Sequence, residues 1–480
     1  MKYFAGIDLG TSSVKTVISD SYGNIISSSS VNYDIVIPFQ GFAEQSPELW
    51  WESAISTFNN SLNKCNLNTS DIKAIGLSGQ MHGLVYLDKS LNLLGNAILH
   101  CDSRSLREIE DIKDIIGREN LSDTFFNPVF SGSQLASLLW LKHNTPEIYS
   151  KIAYIMSPKD FIRFRLTGKL GSEYTDASAT LLFDIENRCW SKKIISAFEL
   201  NPDMLLPVKD SYEIAGEYMG IPVVYGAADQ PAQAIGNGVV QAGQIISTIG
   251  TSGQIFTCTE TPYQNTNLNT HIFCHAPQNM WYSMGAMLSA GLSLKWLKNN
   301  ILTSHSYADL DELAGKVTPS ANNPIFHPYL CGERSPHMNP NAKAAFFGIT
   351  LEHDKGHIAR AVMEGVVFGL RDCLSAISAS APDVLSKDTK IIASGGGAQS
   401  QFWLQLQADI LGYEVITSKT NEQACLGAAI MAMTGLSEYK SLSQACGAIC
   451  KSGEKHALPN RENVKIYNEA YEKYKQLYRG

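Results

Sequence analysis

The 480-residue sequence contains no long hydrophobic run. Its uninterrupted apolar stretches all fall short of the roughly 20 residues that a membrane helix needs, so we expect no membrane partner. The N-terminal residues also lack a signal-peptide pattern, because their apolar run is short and is interrupted by Asp8. None of the ten cysteines forms a C-x-x-C pair, which argues against a zinc or redox site. Scattered thiols without a signal peptide predict a cytoplasmic protein.

Excess positive charge and the commonest nucleotide-binding motifs are also missing. The formal net charge of −8 argues against nucleic-acid binding. No G-x-x-x-x-G-K-S/T occurs, and neither Gly-Asn-Gly at 236–238 nor Gly-Gly-Gly at 395–397 is followed by the glycine that completes G-x-G-x-x-G. These absences argue against a P-loop and against a Rossmann dinucleotide site.

Two similar segments stand out in what the sequence does contain. Residues 6–12 read Gly-Ile-Asp-Leu-Gly-Thr-Ser, and residues 247–253 read Ser-Thr-Ile-Gly-Thr-Ser-Gly. Each places a strand-like run before a tight turn whose backbone N–H groups can approach phosphate oxygens. One such turn is weak evidence, but two at equivalent positions predict two similar domains that close on one polyphosphate. A chain of this length is expected to form two domains, and we place them at 1–242 and 243–480.

The pattern around these turns predicts an α/β fold. The predicted strands are 3–9, 14–19 and 25–31, repeated at 244–249, 254–259 and about 280–283. Helices are predicted at 286–300 and 357–378, and the stretch from about 104 to 220 is predicted to be mostly helical. The charged, tyrosine-rich tail beyond about 455 is predicted to form a surface helix.

Two aspartates are candidates for phosphoryl-transfer chemistry. Asp8 lies inside a predicted strand, where a buried acid costs free energy unless it is paired or binds a cation. Asp229 follows a buried-type strand and precedes a helix, so it is either a reactive acid or a helix cap. Phosphoryl transfer needs one acid near Mg²⁺ and another that orients or deprotonates the attacking hydroxyl.

Three loops offer groups that suit small polar ligands. The loop at 79–83, Gly-Gln-Met-His-Gly, follows a predicted strand and is either a ligand loop or an ordinary turn with a satisfied histidine. Asp-Ser-Arg at 102–104 offers donors and acceptors for a polyol, although Asp102 also suits a helix cap. Gly-Gly-Gly-Ala at 395–398 permits close approach to adenine and ribose, or is a flexible turn.

In this combination and order, the motifs resemble the FGGY carbohydrate kinases. That family shares the actin and hexokinase-like ATPase fold, in which two ribonuclease-H-like domains flank an ATP cleft. The resemblance extends from residue 3 to about 435. The motifs that carry it are Gly-Ile-Asp-Leu-Gly-Thr-Ser (6–12), Gly-Gln-Met-His-Gly (79–83), Asp-Ser-Arg (102–104), Pro-Lys-Asp (158–160), Asp229, Gly-Thr-Ser-Gly (250–253), Gly-Glu-Arg-Ser-Pro-His (332–337), Phe-Phe-Gly (346–348) and Gly-Gly-Gly-Ala (395–398).

The resemblance implies a role for each candidate residue. Asp229 is expected to be the catalytic base, and Asp8 is expected to position the Mg²⁺-bound phosphate, directly or through water. The residues expected at the sugar are Met81, His82, Asp229, Gln230, Asp102 and Arg104. The residues expected at ATP are Gly10, Thr11, Ser12, Gly250, Thr251, Ser252, Gly396, Gly397 and Ala398. The family also implies a homodimer.

The acceptor depends on details of the predicted sugar pocket. The Gly-Gln-Met-His loop favours the branch of the family that phosphorylates D-xylulose at O5 over the glycerol, gluconate and rhamnulose branches. Gln230 stands where that branch usually has Asn, and His100-Cys101 stands where Trp-Asn is typical. These differences leave open another acceptor, such as ribulose, erythritol or an unusual ketose. A third hypothesis is a non-catalytic, actin-like ATP-binding regulator. Asp229 and the 79–83 loop argue against it.

Overall fold

Two seven-stranded mixed sheets organise the protein, which is described here from a computed structural model of residues 1–478. One sheet is formed by strands from the first half of the chain and the other by strands from the second half. No helix among the described residues combines the length and the apolar character needed to cross a membrane.

The first half contains fifteen strands and nine α-helices. The strands are β1 (Tyr3–Leu9), β2 (Ser13–Asp20), β3 (Ile25–Asn32), β4 (Glu44–Gln45), β5 (Ile72–Gly79), β6 (Val85–Leu87), β7 (Ala97–Ile98), β8 (Tyr154–Met156), β9 (Ser172–Glu173), β10 (Phe183–Asp184), β11 (Cys189–Trp190), β12 (Val208–Lys209), β13 (Ile214–Tyr218), β14 (Ile221–Val224) and β15 (Ala227–Ala228). The helices are α1 (Pro47–Lys64), α2 (Leu106–Ile116), α3 (Leu121–Phe125), α4 (Gln134–Asn144), α5 (Pro146–Tyr149), α6 (Pro158–Thr167), α7 (Tyr174–Ser178), α8 (Lys192–Ala197) and α9 (Asp229–Gly236).

The second half contains nine strands and seven α-helices among its described residues. The strands are β16 (Ile245–Ile249), β17 (Gly253–Thr259), β18 (His271–Cys274), β19 (Trp281–Met287), β20 (Ile325–His327), β21 (Ala345–Phe347), β22 (Lys390–Ser394), β23 (Glu414–Ser418) and β24 (Ser452–Ala457). The helices are α10 (Gly291–Asn300), α11 (Tyr307–Gly315), α12 (Lys355–Ser380), α13 (Gln401–Leu411), α14 (Gln423–Gly435), α15 (Leu442–Ile449) and α16 (Arg461–Leu477).

The two sheets share one topology. In the first, the central order is β3-β2-β1-β5-β14, and in the second it is β19-β17-β16-β22-β23. In each, three strands run antiparallel as a meander, and the first of them pairs in parallel with a later strand that pairs in parallel with the next. This duplication confirms the predicted α/β fold of two ribonuclease-H-like halves.

Helix α14 comes from the second half of the sequence but packs on the first sheet. Its backbone lies so close to β1 and β5 that a Cβ at Gly6 would overlap the carbonyl oxygen of Cys425, and one at Gly76 would overlap that of Ala428. A similar close approach joins α14 to α9, where Gly427 faces the backbone of α9. Helices α9 and α14 therefore form one layer with the first sheet.

The predicted strands of both meanders are confirmed in position, and the helix predicted at 357–378 is α12. The helix predicted at 286–300 begins only at Gly291, because residues 281–287 complete the sheet as β19. Strand β18 was not predicted. The stretch 104–220 is mainly helical, as predicted, with helices α2 to α8, but the short strands β8 to β13 between them were not predicted.

The surface helix predicted near the C-terminus is confirmed as α16, which also has a buried face that was not predicted. Helix α16 exposes its charged residues but buries Tyr467, Tyr471 and Tyr474, which recur every three or four residues and share one face. Phe368 of α12 packs against these rings, and the Tyr467 hydroxyl donates to Glu364 at 2.7 Å. A tyrosine face can be buried because each hydroxyl finds a polar partner.

Candidate active site

Two carboxylates meet at the carboxyl ends of β1, β5 and β15. Asp8 lies beside Ser78 in the β1–β5 register, and the Ser78 hydroxyl donates to Asp8 Oδ1 at 2.7 Å. Asp229 directly follows β15, whose Ala228 pairs with Gly79, and is the first residue of α9. Open α/β sheets bind ligands at this edge.

The surroundings of both acids disfavour their charged forms. Burial raises the pKa of Asp8, although the hydrogen bond from Ser78 opposes that shift. Burial, together with the negative charge of Asp8, raises the pKa of Asp229 to about 7. Asp229 accepts a hydrogen bond from the backbone N–H of Gln230 rather than capping the helix through a later N–H. A carboxylate poised near neutral pH suits general base catalysis.

A buried polar network fixes the backbone that precedes Asp229. The backbone N–H of Ala228 donates to the Thr175 hydroxyl at 2.8 Å, and that hydroxyl donates to Glu173 at 2.6 Å. Lys159, of the Pro-Lys-Asp motif, lies 3.7 Å from Glu173 and is fully buried. The motif thus contributes to the position of the base without reaching the site itself.

The loop at 79–83, which follows β5, contains a buried neutral histidine. His82 has a left-handed backbone conformation with φ of 69°, which costs free energy for a residue with a side chain. Its Nδ1–H donates to the carbonyl oxygen of Ala179 at 2.8 Å. Burial lowers the pKa of His82 to about 3, so the ring is neutral and Nε2 keeps a lone pair that can accept from a hydroxyl. Met81 is buried, with the Tyr282 hydroxyl 3.7 Å from its sulfur.

Aromatic residues that the sequence analysis did not identify surround His82. Phe130 meets the His82 ring edge-to-face at 5.0 Å, and Phe273 lies 5.7 Å from it. His271 stacks on Phe273 and is 7% exposed, yet neither of its ring nitrogens has a hydrogen-bond partner among the described residues. Orphaned buried nitrogens of this kind suit a polar ligand or water. A histidine inside the apolar strand His271–Cys274 was the one sequence signal that could have identified it.

The remaining residues predicted to bind the sugar differ in whether their polar atoms already have partners within the protein. Gln230 follows Asp229, and its Oε1 accepts from Gln254 of β17 at 2.6 Å, which leaves its amide NH₂ free to donate. Asp102 and Arg104 are instead buried in an ion-pair network, in which Arg104 pairs with Asp102 at 2.8 Å and with Glu44 at 2.6 Å. Most polar atoms of these two side chains are therefore already bonded within the protein.

In each Gly-Thr-Ser turn the N–H of the glycine donates to a backbone carbonyl inside the turn, three residues on in the first copy and two residues on in the second. In the first turn the N–H of Gly10 donates to the Ser13 carbonyl at 2.9 Å, and in the second the N–H of Gly250 donates to the Ser252 carbonyl at 2.9 Å. The side chains of Thr251 and Ser252 are exposed. The remaining residues of the first turn, Thr11 and Ser12, lie between β1 and β2.

A cavity of about 540 Å³ joins the second turn to the Gly-Gly-Gly loop. Gly250 and Thr251 line it on one side, and Gly396 and Gly397 on another. Ala398 lines an adjoining polar cavity instead. The other walls of the first cavity mix apolar and polar groups that the sequence analysis did not identify: Leu292, Leu294, Trp403, Lys295, Tyr307 and Asp311. An apolar pocket with a few polar groups next to a glycine turn suits a nucleoside joined to phosphates.

Comparison with known proteins agrees with this geometry. Residues 3–236 match the N-terminal domain of the FGGY family of carbohydrate kinases, and residues 246–436 match its C-terminal domain. This chain belongs to the FGGY family. It is therefore a carbohydrate kinase, and the predicted family is confirmed.

Individual members of the FGGY family resemble the chain over its whole length. The xylulose kinase of Bacillus subtilis (strain 168) is 33% identical, with 100% of this chain and 97% of that protein aligned. The structure of a xylulose kinase from Brucella ovis has a TM-score of 0.92 and 29% identity, covering 99% of this chain and 98% of that one. The structure of a gluconate kinase from Lactobacillus acidophilus has a TM-score of 0.93 and 26% identity, covering 99% and 97%. Kinases with different named substrates thus share this fold.

Proposed function

We propose that this FGGY kinase transfers the γ-phosphoryl group of ATP to the terminal primary hydroxyl of a ketopentose, and that its acceptor is D-xylulose, phosphorylated at O5. The observation that carries the proposal is Asp229, a carboxylate with a pKa raised to about 7 at a sheet edge shared with Asp8. The loop with neutral His82 supports a polyhydroxylated acceptor. The similarity to xylulose kinases supports the choice of sugar.

In this proposal Asp229 accepts the proton of the attacking hydroxyl. The hydroxyl oxygen bonds to the γ-phosphorus, the bond from that phosphorus to the β–γ bridging oxygen breaks, and ADP leaves. A base with a pKa near 7 is largely ionised at slightly alkaline pH and still attracts the hydroxyl proton as the new bond forms. The N–H groups of the two Gly-Thr-Ser turns stabilise the phosphate charge.

Asp8 fits a magnesium ion. Its oxygens are hard ligands of the kind that Mg²⁺ prefers, and its burial without a bound cation raises its pKa. Among residues 1–478, no group of three or more His, Cys, Asp or Glu side chains is arranged to hold a metal ion. That agrees with an ion held by one or two carboxylates and substrate phosphates. When bound, the ion neutralises charge on the phosphates.

His82 holds the acceptor in this scheme. Because the Nδ1–H of His82 donates to the Ala179 carbonyl oxygen, Nε2 is the ring nitrogen with a free lone pair. In this scheme Nε2 accepts a hydrogen bond from a sugar hydroxyl. Met81 supplies an apolar surface, and the free NH₂ of Gln230 donates to a sugar oxygen beside Asp229. The expected result is one orientation of the sugar, with its terminal hydroxyl toward Asp229.

A different acceptor is the second candidate. Gln230, His100 and Cys101 alter the pocket relative to the pattern of the xylulose branch. The buried Nδ1 of His100 has no hydrogen-bond partner among the described residues. Such a pocket also suits another ketose or a polyol with a hydroxyl at that position.

A substrate panel tests the proposal. ADP formation is followed with D-xylulose, D-ribulose, L-ribulose, erythritol, glycerol and gluconate, each with ATP and Mg²⁺. We expect the highest kcat/KM with D-xylulose and a loss of turnover in Asp229→Asn. A higher kcat/KM with another acceptor would overturn the xylulose assignment. Stimulation by none of these acceptors would favour the ATP-binding regulator.

A further inference from the structure

Two side-chain hydrogen bonds join helix α9 to the second half of the protein. Gln254 Nε2 donates to Gln230 Oε1 at 2.6 Å, and Gln233 Nε2 donates to the Ser394 hydroxyl at 3.2 Å. Gln230 and Gln233 are three residues apart, so they lie on one face of the helix that begins with Asp229. The two bonds therefore fix the helix that carries the base against the other sheet.

The partners of these amides flank the nucleotide cavity. Gln254 is the second residue of β17, directly after the second Gly-Thr-Ser turn, and Ser394 is the last residue of β22, directly before the Gly-Gly-Gly loop. Gly250 and Gly396, close to these positions, line the cavity, whereas Gln254 does not and Ser394 lines only the adjoining cavity that contains Ala398. Both bonds thus reach the two segments that a nucleotide would order.

The other side of α9 is held by α14. A Cβ at Gly236 would overlap the carbonyl oxygen of Gln423, and one at Gly427 would overlap that of Ala232, so the backbones of the two helices are in direct contact. Because α14 also packs closely on β1 and β5, α9 moves with the first sheet. Any displacement of the nucleotide-binding segments relative to the sheet that carries Asp8 therefore changes the length of these two side-chain hydrogen bonds.

We propose that Gln254 and Ser394 are positioning residues, which act through Gln230 and Gln233 to couple nucleotide binding to the placement of Asp229 and hence to sugar binding. This inference rests on the proposed function. Nucleotide bound between the second turn and the Gly-Gly-Gly loop fixes both partners, and the bonds then hold α9 in its sugar-competent position. Coupling of this kind is reciprocal, so the nucleotide tightens sugar binding by the same factor as the sugar tightens nucleotide binding.

Calorimetric titration measures this coupling. Sugar affinity is determined with and without a non-hydrolysable ATP analogue and Mg²⁺, in the wild type and in Gln254→Met and Ser394→Ala. The ratio of the two dissociation constants is the coupling factor. We expect the coupling factor of each variant to be about three- to tenfold smaller than that of the wild type. A change of this size is expected when one net hydrogen bond is removed. Sugar affinity without nucleotide should change less than twofold in Ser394→Ala.

The chain offers a matched control. Gln241 Nε2 donates to the Ser443 hydroxyl at 3.1 Å, an exposed pair of the same chemistry, with its serine on α15 and with neither residue in the nucleotide cavity. Gln241→Met and Ser443→Ala should keep the wild-type coupling factor. Ser394→Ala removes one oxygen atom and keeps the test valid if Gln254→Met does not fold.

Two results would overturn the inference. One is a coupling factor of one in the wild type. The other is an equal loss of sugar affinity with and without nucleotide in the variants, because the bonds would then serve the fold alone. The sugar titrated is the panel compound that supports turnover, so a wrong choice of acceptor would change the proposed function and leave this comparison intact.

Discussion

Removal of the Asp229 charge should make the protein more stable at alkaline pH while it destroys activity. The native state holds the proton on Asp229 up to a pKa of about 7, whereas an aspartate in an unfolded chain loses it near pH 3.9. Between these values the native state binds more protons, so stability falls as pH rises from about 4 to about 7, and the full cost persists above that range. Asp229→Asn carries no such cost.

The size of this effect follows from the shift. About three pH units correspond to at most about 4 kcal/mol, and we halve that figure to about 2 kcal/mol because Asp229 is partly open to solvent. For a domain of this size, that gain raises the melting temperature by roughly 4–8 °C. The difference should be near zero at pH 4 and complete above pH 8. Turnover should fall by about 10²–10⁴-fold.

Thermal unfolding without ligands, from pH 4 to pH 8.5, is the assay. The control is Asp203→Asn, at an exposed aspartate in the same half of the chain, which should leave the pH profile of stability unchanged. A difference between Asp229→Asn and the wild type that does not vary with pH would refute the reasoning. A variant less stable than the wild type at pH 8 would refute it as well.

Two further predictions concern Asp8 and the layer behind it. Ser78→Ala removes the donor to Asp8, so the pKa of Asp8 should rise further; kcat/KM should fall about tenfold at pH 7 and recover at higher pH, which a pH profile would show. Gly6→Ala forces a Cβ against the Cys425 carbonyl and should destabilise by about 1–3 kcal/mol in denaturant unfolding. The control for Gly6→Ala is Gly447→Ala, within α15 with open space around it, which should stabilise by about 0.5–1 kcal/mol.

Each of these predictions has a result that contradicts it. A parallel loss of kcat/KM at all pH values in Ser78→Ala would mean that the serine acts on the fold and not on the Asp8 charge. Equal stability of Gly6→Ala and the wild type would mean that α14 can shift away from the first sheet without cost. That result would also weaken the argument that α9 and α14 move together with that sheet.

The duplicated turn could be predicted from the sequence because its information is local. A strand, a tight glycine turn and a second strand are encoded within about fifteen residues, and both copies lie where they were predicted. Asp8 could be identified for the same reason, since an acid between Ile7 and Leu9 breaks a local apolar pattern. Local patterns of this kind predict an element without knowledge of its partners in the fold.

Contacts between distant parts of the chain could not be predicted in this way. His82, Phe130 and His271 form one cluster, but nothing in their separate segments indicates that they meet. Asp102 and Arg104 have the composition of a ligand site, yet Glu44 completes a buried ion-pair network around them. The choice between a ligand site and an internal ion pair depends on a third residue far away in sequence.

The C-terminal helix illustrates a different limit. Its mean composition is charged, which favours a surface position, but its tyrosines share one face and that face is buried. The helix periodicity was present in the sequence, whereas the partners that satisfy the hydroxyls, such as Glu364 and Asp372, lie about a hundred residues earlier. Composition therefore predicted the exposed face of the helix but not the partners of its buried face.

The most direct test of the account is the position of the phosphate in the product. The kinase is incubated with D-xylulose labelled with ¹³C, ATP and Mg²⁺, and the product is examined by carbon and phosphorus NMR. We expect phosphorus coupling at C5 with one ADP formed per sugar, and no product from Asp229→Asn over the same time. Phosphate on another carbon, or inorganic phosphate in place of a sugar phosphate, would contradict the proposal that Asp229 activates the terminal hydroxyl of D-xylulose.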